Sequence, residues 1–91
     1  MAGRKYHARV ELDEAVTRGP RAAEIRQQLA AFQPVLVRNE HGKTEIWLHV
    51  PSSDLWLAIL TIMASLKNLW CEPRAIQVMR SEDSERRASE L

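Results

Sequence analysis

The chain has 91 residues, 45% hydrophobic and 27% charged, with 13 basic and 12 acidic side chains for a formal net charge of +1. That length holds one domain with a modest core, and the composition is that of a globular protein, not a disordered one. The near-neutral charge argues against a dedicated duplex-binding protein, and the single cysteine, Cys71, excludes an intrachain disulfide or a thiolate cluster built by one chain.

The first strand is expected over Tyr6–Asp13, where Tyr6, Ala8, Val10 and Leu12 alternate with His7, Arg9, Glu11 and Asp13. A loop through Thr17, Gly19 and Pro20 follows. Proline is tolerated in a first helical turn, so the first helix starts at Pro20 or just after it. Its inward stripe is Ala22, Ile25, Leu29 and Phe32, and Pro34 ends it. Val35–Glu40 and Thr44–Val50 flank His41-Gly42-Lys43 and read as an antiparallel hairpin. In the third strand Ile46, Leu48 and Val50 point one way and Glu45, Trp47 and His49 the other, with Pro51 as its stop.

Ser52, Ser53 and Asp54 offer N-caps for a second helix reaching about Trp70, with a core stripe of Leu55, Ile59, Ile62, Leu66 and Leu69. Trp56, Leu57, Leu60 and Ala64 lie off that stripe, and no ionisable group stands between Asp54 and Lys67. A helix apolar nearly all round is normally covered on more than one side. The fourth strand is expected over Ala75–Met79 with Ile76 and Val78 inward. Residues 1–80 then form one domain, and 81–91 form a charged, flexible tail.

Two strand-helix-strand units with right-handed crossovers close most simply into a ferredoxin-like βαββαβ fold of the α+β class. This is a four-stranded antiparallel sheet with two helices on one face and the first and third strands central. On the uncovered face His7 falls near His49, Arg9 near Trp47 and Glu11 near Glu45. Leu36 and Arg38 of the second strand and Gln77 and Met79 of the fourth are expected to join them.

Three binding surfaces are candidates. The first is an interface through Trp56, Leu57 and Leu60 of the second helix, through Trp47 on the sheet, or through both, used for a homodimer or a partner protein. The second is a single-stranded nucleic-acid platform. The topology resembles that of RNA-recognition domains, which stack unpaired bases on aromatic residues of central strands. That resemblance implies stacking by Arg9, Trp47 and His49 and phosphate contact by Arg38. The third strand, Thr-Glu-Ile-Trp-Leu-His-Val, carries no Lys/Arg-Gly-Phe/Tyr-Gly/Ala-Phe run, and Glu11 and Glu45 would repel phosphate. The third is a weak anion site at Arg18 and Arg21, at the start of the first helix.

Metal binding would need more than the His7–His49 pair, and no nucleophile has a positioned base near it in sequence. The expectation is a non-catalytic module with no cofactor and no metal. The plan also resembles amino-acid-binding regulatory (ACT-type) domains, whose ligands sit between paired copies near the loop after the first strand. On that resemblance the domain senses a small ligand at a subunit interface, although Thr17-Arg-Gly-Pro replaces the usual Asp-Arg-Pro-Gly-type turn. Met1 to Leu12 has no apolar run of the secretory type, and Leu55–Leu66 is too short for the roughly 20 residues of a membrane span. A cytoplasmic protein that does not enter a membrane is expected.

Overall fold

A computed structural model describes residues 4–80. The tail expected over 81–91 lies outside the described residues. The elements run β1 (Arg4–Leu12), α1 (Gly19–Gln28), a 3-10 turn (Ala30–Phe32), β2 (Val35–Arg38), β3 (Thr44–Ser52), α2 (Leu55–Asn68) and β4 (Pro73–Arg80). They form a four-stranded antiparallel sheet of order β2-β3-β1-β4 with two helices, an α+β architecture.

Period-two alternation sets the core. Tyr6, Ala8, Val10 and Leu12 of β1 and Ile46, Leu48 and Val50 of β3 are buried on one side of the sheet. Ala22, Ile25 and Leu29 of the first helical segment and Ala58, Ile62, Leu66 and Leu69 from the second belong to the same cluster. Phe32, Ile76 and Val78 pack against it. The register pairs His7 with His49, Arg9 with Trp47 and Glu11 with Glu45. These are the cross-strand neighbours expected from the alternation.

Three local expectations are corrected. Pro51 does not end β3, which runs on to Ser52. β2 starts only at Val35, opposite Trp47, so from there β3 has an open edge on that side, and a missing N–H is tolerated at an edge. Second, Leu55 is not part of the inward stripe of α2. It sits exposed in the first turn, while Ala58 is buried in its place and Ile59 is half-buried. A small alanine lets the helix approach the sheet closely. Third, Leu36 and Arg38 are not on the uncovered face. Leu36 pairs with buried Ile46, and Arg38 with buried Thr44, which puts both on the helix side and leaves Val35 and Val37 outside.

The ends of α2 follow from local chemistry. Asp54 is its N-cap, the carboxylate Oδ1 accepting from the Leu57 N–H at 2.8 Å. At the other end Trp70 N–H donates to Lys67 O at 3.1 Å and Cys71 N–H to Leu66 O at 3.0 Å, the pair of bonds that closes a Schellman turn. Glycine normally takes the left-handed position in that turn; here Trp70 does, at φ 57°. The conformation costs a bulky residue about 1–2 kcal/mol, and the indole gains no cover for it, being 92% exposed.

Candidate functional site

Two surfaces carry the candidate residues. The first is the outward side of α2. At about 100° per residue, Ala58, Ile62 and Leu66 share one side, and Trp56, Leu57, Leu60, Met63 and Ala64 share the opposite one. Trp56 is 73% and Leu60 57% exposed, and Leu57 and Met63 are also largely open. The interface residues expected on this helix are thus brought together on one face that nothing among the described residues covers. Met63 and Trp70 were missed by sequence reasoning. Met63 follows Trp56 by seven residues, two helical turns along the same stripe, and that spacing was the available signal.

The second surface is the uncovered sheet face, which is internally paired. Arg9 Cζ lies 4.9 Å from the Trp47 ring centroid, a cation–π distance. The His7 ring meets Trp47 edge-on at 6.3 Å and His49 at 5.2 Å between centroids. Trp47 Nε1 donates to Glu45 Oε1 at 2.6 Å. Trp47 is therefore half-buried, one ring face taken by a guanidinium and its N–H by a carboxylate. It offers less free surface to a docking chain than Trp56 does.

Glu11 anchors one end of this face to the β2–β3 hairpin. Asn39 Nδ2 donates to its Oε2, His41 Nδ1 lies 3.1 Å from the same oxygen, and Arg74 Nε stands 3.8 Å from Oε1. Asn39 Oδ1 in turn accepts from the His41 and Lys43 N–H groups at 3.0 Å each, fixing the loop in which Gly42 takes φ 74°. Contact with His41, then Asn39 and Arg74, pulls the Glu11 carboxyl below its ordinary range.

The nucleic-acid set is not assembled. Arg9, Trp47 and His49 share the uncovered face, but Arg38 is on the other side of the sheet. There Arg38 and Arg18, with Ala15, Val16 and Thr17, line an open depression of about 530 Å³. The Arg18–Arg21 anion pair is not assembled either. Arg21 is engaged by Glu14 at 3.1 Å, by Glu24, and by Cys71 Sγ at 3.1 Å. Cys71 is buried, and burial pushes its thiol up, away from the reactive thiolate.

His7 yields a pH prediction. Burial, then His49, then Arg9 lower its folded value below the ordinary 6.5. The unfolded chain therefore takes up the proton first. The associated stability is full above about pH 6.5 and is lost as the pH falls through the folded value. The Glu11 shift has the same sign in the more acidic carboxylate range. Urea midpoints measured from pH 8 down to pH 5 are expected to fall, and His7→Gln to flatten that fall. An unchanged slope in the variant would mean that His7 does not set it.

Among the described residues no three His, Cys, Asp or Glu side chains group as a metal site, and no helix is long and apolar enough to cross a membrane. No protein-family model matches the chain, and no curated protein or solved structure resembles it significantly.

Proposed function

We propose that this chain is a small cytoplasmic assembly module of ferredoxin-like plan that carries out no chemistry and self-associates through the outward face of α2. The observation that carries the proposal is the row of Trp56, Leu57, Leu60 and Met63, all solvent-facing and with no ionisable residue between Asp54 and Lys67. Solvated helix faces are normally polar. Covering apolar area returns about 25 cal/mol per Å², and a contiguous patch of this kind marks a contact surface. The central placement of β1 and β3 and the shared core of both helices support the ferredoxin-like plan. The buried, protonated thiol beside Arg21 supports a role without nucleophilic chemistry.

Sedimentation equilibrium tests the proposal. The wild type is expected to sediment above its 10.4 kDa monomer mass at high micromolar concentration, with Trp56→Glu and Leu60→Glu reduced to monomer. A wild type that stays monomeric there overturns self-association. So does an oligomer that both substitutions leave intact.

A further inference from the structure

We infer that two copies pair through α2 in an antiparallel, two-fold arrangement, with Leu60 at the axis and Lys67 of each copy set against Asp54 of the other. The pairing rests on the self-association proposed above and specifies its partner, its register and the residues that select it. Trp56, Leu60, Met63 and Lys67 follow one another at spacings of four, three and four. This is the seam repeat by which two helices pack side by side. The seam lies opposite the buried residues Ala58, Ile62 and Leu66, so a second helix can reach it without disturbing the monomer core.

Charge fixes the direction. Asp54 caps the N-terminal end and Lys67 sits in the last turn, about 20 Å apart at 1.5 Å per residue. Neither makes an ion pair among the described residues. A parallel pairing would set lysine on lysine along the seam, whereas Asp54, one turn before Ala58, lies at the helix end off the seam. The antiparallel one sets opposite signs together at both ends and also opposes the two helix dipoles. Size agrees with charge. The midpoint between Asp54 and Lys67 falls at Leu60–Thr61, and the midpoint between Trp56 and Ala64 falls at Leu60. One centre therefore brings each indole onto the small side chain of the partner's Ala64 while matching the charged ends. A shallow crossing of about 20°, the usual angle for side-by-side helices, keeps the ends within reach.

The 14 residues of α2 make a contact about 21 Å long. A strip that long and about 10 Å wide covers roughly 200 Å², well under the about 800 Å² per partner of a standard interface, so a micromolar dimer is expected instead of a permanent one. Trp70, at the C-terminal end of the helix, then falls level with the segment preceding the partner's Asp54 and extends the contact.

The test uses the full chain carrying Ser53→Cys or Lys67→Cys, each alone and then mixed, with a short bismaleimide; the wild type, whose one thiol is buried, is the control. Crosslinked dimer is expected on mixing and not from either variant alone. Lys67→Glu, which places a carboxylate beside the partner's Asp54, is expected to raise the dissociation constant about tenfold, with Lys67→Arg close to wild type. Self-crosslinking of Lys67→Cys with no gain on mixing would show a parallel pair and overturn the inference while leaving self-association standing. Unchanged affinity in Lys67→Glu would remove the charged ends as the selecting contact and overturn it as well. A wild type that stays monomeric at high micromolar concentration would overturn the pairing and the self-association together, whereas a Leu60→Glu variant that still dimerises with unaltered circular dichroism would overturn the pairing about Leu60.

Discussion

Leu48→Ala is expected to lower the free energy of unfolding by about 3 kcal/mol, within the range of large-to-small core changes. Leu48 is fully buried in β3, one of the two central strands. Its neighbour across β1 is Ala8, which in turn faces Val78 of β4, and an alanine there has no side chain to move into the space left behind. The cavity would therefore persist, and its cost would add to the lost transfer free energy. A native domain has about 5–15 kcal/mol to lose, so the variant forfeits a fifth or more of it. Urea unfolding followed by tryptophan fluorescence should show a lower midpoint with an unchanged slope. Leu57→Ala, on the outward face of α2, is the matched control and should shift monomer stability by no more than about 0.5 kcal/mol. Equal losses from the two substitutions would contradict the assignment of inner and outer faces.

Thr44→Val should cost about 2 kcal/mol, although the two side chains have nearly the same shape. Thr44 is the one fully buried polar residue among the described residues. Its Oγ1 donates to Val16 O at 2.9 Å and accepts from Val16 N–H, while its own N–H donates to Glu14 O at 2.8 Å. These bonds tie the loop after β1 to the start of β3. Valine would leave both backbone groups of Val16 without that partner, and unsatisfied buried groups cost about 1–3 kcal/mol. Thr44→Ser keeps the hydroxyl and should recover most of the loss. Hydrogen exchange at the Val16 amide should accelerate in Thr44→Val and stay slow in Thr44→Ser. Equal stability of wild type and Thr44→Val would show that the loop gains nothing from the contact.

The central strand pair was legible in the sequence because its two signals agree. Strict alternation in Tyr6–Leu12 and Ile46–Val50 chooses the face, and antiparallel pairing then leaves little freedom of register. His7, Arg9 and Glu11 consequently met His49, Trp47 and Glu45 as expected. Val35-Leu36-Val37 has no alternation to read, and its face is set by the hairpin register that puts Arg38 opposite Thr44. With nothing in the segment to choose between its two faces, Leu36 and Arg38 were expected on the uncovered side.

On α2 the absence of charge flagged the outward residues correctly. Leu55 and Ala58 lie near the same angle, however, and hydrophobicity alone favoured the wrong one. Backbone geometry at Trp70 had no sequence signal at all, since a tryptophan is an improbable occupant of a glycine position. The role of Thr44 was equally silent: a strand-opening threonine looks ordinary until the Val16 backbone is placed against it.

The position of β1 bears on how the chain reaches this state during synthesis. It comes before the other described elements in the chain and yet lies in the middle of the sheet, with Val10 flanked by Ile46 on one side and Ile76 on the other. Both neighbours are distant in sequence, and such non-local pairings form slowly. Until β4 emerges, the nascent chain can close the local β2–β3 hairpin but must hold the edge of β1 unsealed. Its apolar residues then stand exposed to any other growing copy for as long as translation lasts.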